Sequence, residues 1–146
     1  MIYLIGSLRE KKIVDVGVTI RAHGFEVFDD WHAASPTADD AWKEYEQRRG
    51  HSYAEALDGF AANHVFDFDL EHLERADAVV LVLPAGKSGH LELGYAIGRG
   101  KKGFILLDEV DRWDVMYKFA HNSGGVYDNI DSLIDGLCMA GAKDWK

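Results

Sequence analysis

A run of six apolar residues near the middle of the chain, Ala78-Val79-Val80-Leu81-Val82-Leu83, constrains the fold more than any other feature. A strand with one face in water alternates apolar and polar side chains, whereas a strand covered on both faces is apolar throughout. Helices cover both faces of parallel sheets, so this run predicts the central strand of an α/β fold.

Four weaker strand signals surround the central one. Residues 2–5 and 104–107 are short apolar runs, and residues 25–28 and 125–127 read as outer strands. Helices are predicted between them at about 10–22, 39–49, 52–75 with a break at Gly59, 91–98 and 129–139. This alternation predicts one domain over residues 1–146, an open, doubly wound five-stranded parallel sheet of flavodoxin-like order 2-1-3-4-5.

Charge and composition restrict the partners. Asp and Glu together number 25 against 16 Lys and Arg, and no basic block interrupts them, so nucleic acid is not expected as a partner. No apolar run has the length of a membrane span, and the apolar start is too short for a signal peptide, which predicts a cytoplasmic protein with no membrane partner. The single Cys138 and the scattered His residues lack zinc-ligand spacing, so neither metal nor cofactor is expected.

Small and polar residues follow three of the predicted strands. In an open parallel sheet, ligands bind outside the carboxyl ends of the strands, where the strand order switches. The residues that this rule selects as substrate-binding are Gly6, Ser7, Arg9, Asp30, Trp31, His32, Gly86, Ser88 and Gly89. They form neither a P-loop nor a complete GxGxxG pattern, which favours a small ligand over a triphosphate or dinucleotide.

Two carboxylates are candidates for chemistry. Glu92 is predicted in the first turn of the helix after the central strand, where the positive helix end favours a charged carboxylate. It is either a nucleophile or only a helix-capping residue. Asp69 lies on the preceding predicted helix, where it either has a functional role or belongs to a solvated face. Asp67 is the other candidate for the functional carboxylate on that helix.

The long segment 29–50 is the third candidate region. It contains Trp31, Trp42 and Tyr45, whose flat rings could stack on a planar base. The alternative is a lid whose aromatic rings pack on the core. We predict that this segment closes over the base.

Three segments resemble the nucleoside 2-deoxyribosyltransferase family and the related nucleotide N-glycosidases. They are Ile2-Tyr3-Leu4-Ile5-Gly6-Ser7-Leu8-Arg9, Asp69-Leu70 ahead of Ala76-Asp77-Ala78-Val79-Val80, and Ser88-Gly89-His90-Leu91-Glu92-Leu93-Gly94-Tyr95-Ala96. The resemblance implies that Glu92 is the nucleophile, that Asp69 assists at the base or sugar, and that Tyr3 orients Glu92. It implies cleavage of the N-glycosidic bond of a nucleoside or its 5′-monophosphate, with transfer of the sugar to another base or to water. Residues 29–50 depart from the family pattern.

The resemblance does not determine whether the substrate carries a 5′-phosphate. Residues 6–9 and Ser88-Gly89 resemble a phosphate-binding loop pair, and an Arg beside a helix start suits phosphate. Asp114-Val115-Met116 resembles a segment that a neighbouring subunit inserts at the sugar 5′ end, where Asp114 would repel phosphate but accept a hydrogen bond from a hydroxyl.

The same segment leads to a prediction about assembly. We predict a homo-oligomer, a dimer or larger, in which Asp114 and Met116 reach the neighbouring site. The alternative is that residues 113–119 pack as an ordinary helix within one chain.

For function, the alternative to an enzyme is a non-catalytic module that binds or senses a nucleotide on the same fold.

Overall fold

The sheet has the predicted topology. A computed structural model describes residues 1–109 and 112–141 of the 146-residue chain. The predicted domain over residues 1–146 also includes 110–111 and 142–146, which lie outside the described residues. Five parallel strands lie in the order β2-β1-β3-β4-β5. They are β1 (Ile2–Ile5), β2 (Val27–Phe28), β3 (Ala78–Val82), β4 (Lys102–Leu106) and β5 (Gly125–Tyr127).

Helices connect these strands and cover both faces of the sheet. They are α1 (Lys12–Ala22), α2 (Ala38–Arg48), α3 (Tyr53–Leu57), α4 (Phe60–Arg75), α5 (Lys87–Gly98), α6 (Lys118–His121) and α7 (Ile130–Met139), with 3-10 turns at Asp30–Ala33 and Val115–Tyr117. Every residue of β3 is buried, which confirms its prediction as the central strand. None of the helices in the described ranges is both long and apolar enough to cross a membrane.

The alternation of side chains along β1 divides the core into two layers. Ile2 and Leu4 pack with α1 and α7 on one face of the sheet. Tyr3 and Ile5 point to the other face, where they pack with α4, α5 and α6. Because successive residues of a strand face opposite sides, the sequence of β1 fixes Tyr3 on the α4–α5 side.

Local signals set several helix ends. Ser52 and Glu55 form the capping box at the start of α3, each side chain accepting a hydrogen bond from the other residue's backbone N–H. The predicted break at Gly59 separates α3 from α4. Gly24 and Gly100 follow α1 and α5 with φ of 91° and 85°, a left-handed conformation that favours glycine at a helix end.

One expectation about α4 is wrong. The spacing of Val65, Phe66, Leu70 and Leu73 predicts one buried face of α4, but Val65 is 59% and Phe66 62% exposed, whereas Leu73 is buried. The buried and half-buried side chains of α4 lie mainly in its carboxyl-terminal half, where Leu73 packs in the core layer that contains Tyr3. Helical spacing identifies one face of a helix but does not show which turns of that face meet the core.

Candidate active site

A hydrogen bond between Tyr3 and Glu92 joins the sheet to α5. The Tyr3 ring is 1% exposed in the layer beneath α4 and α5, and its hydroxyl donates to the Glu92 carboxylate. Burial, and then the negative charges of Glu92 and Asp69, raise the pKa of Tyr3 above its ordinary range. Tyr3 therefore remains a protonated donor at every physiological pH.

The position of Glu92 on α5 corrects the sequence prediction. The helix starts at Lys87 with Gly86 as N-cap, so Glu92 lies in the second turn rather than the first. The free N–H groups of a helix start are confined to its first turn, so they do not hold Glu92 in its charged form. Burial instead raises the pKa of Glu92 to about 7; the Tyr3 hydrogen bond opposes this rise, and the charge of Asp69 adds to it.

Asp69 is the second carboxylate of the site. It is half-buried on α4, and burial raises its pKa while the neighbouring His72 opposes the rise. Asp69 acts electrostatically on both Tyr3 and Glu92. The competing Asp67 is exposed on the same helix.

Sequence analysis missed His72. Its ring stacks on Phe28 with centroids 4.1 Å apart, and Phe28 in turn lies 5.1 Å from the Tyr3 ring. The His72 Nδ1–H donates to the Phe68 carbonyl at 2.8 Å, which fixes the ring in this stack. The i, i+3 spacing from Asp69 on one helix is the signal that could have identified it.

Asp30 lies beside this aromatic stack. It lines an open depression of about 360 Å³ at the β2 edge of the sheet. The other lining residues are Met1, Glu26, Val27, Phe28, Phe68, His72 and Arg75.

The first loop carries Gly6, Ser7 and Arg9 between β1 and α1. A Cβ on Gly6 would lie 2.5 Å from Ile13 Cδ1 and 3.3 Å from the Val82 carbonyl, so close packing requires glycine there. Ser7 Oγ accepts the Arg9 backbone N–H at 3.1 Å and shapes the turn. The Arg9 guanidinium forms an ion pair with Asp40 of α2 at 3.2 Å.

Trp31 and His32 are fixed at the same end of the sheet. The Trp31 indole N–H donates to the Leu4 carbonyl at 2.8 Å, and the His32 Nε2–H donates to the Glu10 carbonyl at 2.9 Å. Trp31 also packs on both layers of the core. The ring is therefore held in place over the end of β1.

The other aromatic residues of the segment lie against different elements. The Trp42 ring meets Tyr53 of α3 edge to face, with centroids 6.1 Å apart. The Tyr45 ring lies under the Arg49 guanidinium at 5.2 Å. Neither contact joins them to Trp31, so of the three rings Trp31 is the one held at the end of β1.

Gly86, Ser88 and Gly89 lie at the start of α5, which begins at Lys87 and not at the predicted residue 91. Ser88 is exposed in the first helical turn, and Gly86 is open to solvent. Gly89 is buried because α5 rests directly on the sheet there: a Cβ would lie 3.1 Å from Leu81 Cδ1 and 3.2 Å from Ile5 Cγ2. Gly89 thus allows α5 to pack closely on the sheet.

Asp114 and Met116 lie in a separate, exposed segment. The Asp114 carboxylate accepts the Met116 backbone N–H at 2.8 Å and caps the 3-10 turn. This turn contacts α5 through Tyr117, whose hydroxyl is 2.8 Å from His90 Nε2. Trp113 is 95% and Met116 59% exposed, whereas Tyr117 packs against the core layer that contains Tyr3.

Metal binding has no support in the described part of the chain. Across residues 1–109 and 112–141, no group of three or more His, Cys, Asp or Glu side chains is arranged to hold an ion.

Comparison with known proteins finds similarity at the level of structure and not of sequence. No protein-family model matches the sequence, and no curated protein sequence matches it. Among solved structures, the CMP N-glycosidase BcmB of Clostridium botulinum is similar, with a TM-score of 0.56 over 94% of this chain and 99% of that chain. The two sequences are 16% identical, so this similarity shows a shared α/β fold.

Proposed function

We propose that the protein cleaves the N-glycosidic bond of a (deoxy)nucleoside or its 5′-monophosphate, with Glu92 as nucleophile. The observation that carries this proposal is a half-buried carboxylate with a pKa of about 7, hydrogen-bonded to the buried Tyr3 and close enough to Asp69 for their charges to interact. The motif around Glu92, and the fold shared with a protein described as a CMP N-glycosidase, support the same chemistry.

The first step forms a bond from the Glu92 carboxylate to the anomeric carbon C1′. The C1′–N bond breaks, and its electron pair leaves with the base. The leaving base needs a proton, and Asp69 is suited to supply it because burial raises its pKa. The Tyr3 hydrogen bond holds the attacking oxygen in place.

The second step releases the sugar from Glu92. Asp69, now ionised, takes a proton from a water molecule or from the N–H of an acceptor base, whose oxygen or nitrogen then attacks C1′. The ester bond to Glu92 breaks, and both carboxyl groups return to their starting states. Water as acceptor makes the protein a hydrolase, and a base makes it a transferase.

The base and the sugar 5′ end have separate candidate contacts. Trp31 presents a fixed ring at the end of β1 for stacking on a base. Arg9 and the start of α5 at Ser88 are suited to a 5′-phosphate, since both offer donors to an anion.

A base-release screen tests the proposal. The protein is incubated with each nucleoside, deoxynucleoside and 5′-monophosphate, with and without an acceptor base, and free and exchanged bases are measured by chromatography. We expect release from at least one substrate and none with Glu92→Gln. Tight binding without release by the unmodified protein would instead favour the non-catalytic module.

A further inference from the structure

An ion pair joins the helix α2 to the first loop. Glu46 is the one buried residue of α2, and it pairs with His51 just beyond the helix at 2.5 Å. At the amino end of α2, the Asp40 carboxylate forms an ion pair with the Arg9 guanidinium at 3.2 Å. This pair links the amino end of α2 to the first loop.

The Arg9–Asp40 pair is one that a ligand can exchange. Both side chains are about two-thirds exposed, at 69% and 67%, and ion pairs exposed to this degree contribute little to stability. The Arg9 backbone N–H donates to Ser7 Oγ in the loop that follows the carboxyl end of β1, so Arg9 starts from the end of the sheet where open parallel sheets bind ligands. Asp40 presents to this cation one carboxylate oxygen at 3.2 Å.

We propose that Asp40 is a specificity-determining residue that competes with the 5′-phosphate of the substrate for Arg9. The inference rests on the proposed function and deepens it. A phosphate binds a guanidinium through two parallel hydrogen bonds, whereas Asp40 forms one here. A nucleoside 5′-monophosphate therefore displaces Asp40, while a free nucleoside leaves the pair intact.

Because Asp40 competes with the phosphate for Arg9, it weakens the preference of the site for phosphorylated over free ligands. A phosphorylated ligand must first break the Arg9–Asp40 pair, and the freed carboxylate then repels the bound phosphate. Removing the Asp40 charge should tighten binding of phosphorylated ligands by about two- to fivefold, the range measured for exposed ion pairs. The gain should shrink as salt rises, because both interactions are exposed to solvent.

Asp39→Asn is a matched control for Asp40→Asn. Both residues are exposed in the first turn of α2, so each variant removes the same charge from the same helix end. Dissociation constants of the full chain and both variants are measured by calorimetry with inorganic phosphate, a panel of nucleoside 5′-monophosphates and the corresponding nucleosides. We expect tighter binding with Asp40→Asn alone, confined to phosphorylated ligands.

The same variants in an Arg9→Gln background show whether Asp40 acts through Arg9. The effect of Asp40→Asn should disappear there. Equal affinities for the two Asn variants, a gain that persists without Arg9, or no phosphate-dependent binding in any variant would each overturn the inference. Base release from free nucleosides is unaffected by those outcomes, so failure of this inference is distinguishable from failure of the proposed function.

Discussion

The Tyr3 hydroxyl donates a hydrogen bond to Glu92 from a strand whose residues are all buried. This bond works against the burial that raises the pKa of Glu92 to about 7. Glu92 is therefore balanced between its neutral and ionised forms near neutral pH. Such a carboxylate is poorly explained by structure alone, because a charged form at this depth is destabilising.

Replacing Glu92 with Gln should abolish base release while leaving the fold intact. Gln has nearly the same shape and can accept the Tyr3 hydrogen bond, but it cannot form the glycosyl ester. Turnover should fall by several orders of magnitude, measured as kcat with the best substrate of the screen. Near-normal release by a folded Glu92→Gln protein would exclude Glu92 as nucleophile.

The pH profile of the reaction should reveal the ionisation of Glu92. The nucleophile must be a carboxylate and the acid Asp69 must carry its proton, so kcat/KM should rise with pH through about 7 and fall again where Asp69 ionises. Tyr3→Phe removes the bond that lowers this pKa and should move the rising limb to higher pH. Tyr95→Phe removes a hydroxyl from α5 that bonds Glu74 instead, and should leave the limb in place. If Tyr3→Phe leaves the rising limb of the pH profile in place, that limb does not report the ionisation of Glu92.

Glu92 should also reduce stability at high pH. Its folded pKa of about 7 lies above the ordinary 4.5, so the folded state binds the proton more tightly than the unfolded state does. The free energy of unfolding should therefore fall as pH rises between these two values. Glu92→Gln should be more stable than the unmodified protein at pH 8, by on the order of 1–3 kcal/mol, and nearly equal at pH 5. Denaturant unfolding at both pH values measures this, and an equal difference at both would contradict it.

Much of this fold was predictable because its strands are continuous apolar runs. The all-apolar pattern of β3 gave its central position, and the capping box at Ser52 gave a helix start from local chemistry alone. The start of α5 was placed too late because Gly86 and Gly89 have low helix propensity, and the packing of Gly89 on Ile5 is a long-range contact.

The site was predictable in part. Glu92, Asp69 and Tyr3 came from a motif resemblance, since no local pattern indicates that a strand Tyr meets a helix Glu. The Arg9–Asp40 pair joins elements distant in sequence and leaves no periodic signal.

Trp31 should contribute more to substrate binding than to chemistry. Its ring is fixed by the Leu4 carbonyl and lies at the end of the strand that carries Tyr3. Trp31→Ala should raise KM more than it lowers kcat, and Trp31→Phe, which keeps a stacking ring and core packing, should raise it less. Trp113, 95% exposed, gives the control for ligand-induced fluorescence changes through Trp113→Phe. An unchanged KM together with unchanged Trp fluorescence on ligand addition would argue against base stacking.

The protein should be a homo-oligomer whose smallest active unit is a dimer. Four large apolar side chains are exposed together in one short segment: Trp113 (95%), Val115 (78%), Met116 (59%) and Phe119 (60%). Exposed apolar patches of this kind favour association, and a two-fold interface would make any exchange of this segment reciprocal. Light scattering should give at least a dimer, and Phe119→Glu should shift it toward monomer.

Mixing two inactive variants tests whether this segment completes the neighbouring site. Glu92→Ala removes the nucleophile, and Asp114→Ala removes the carboxylate that caps the exposed turn. If Asp114 serves the partner, a mixed dimer contains one site with both residues intact, so the mixture should regain about a quarter of the unmodified activity on random exchange of subunits. Light scattering of differently tagged chains verifies that exchange occurs. Exchange without recovery would mean that each site is built from one chain.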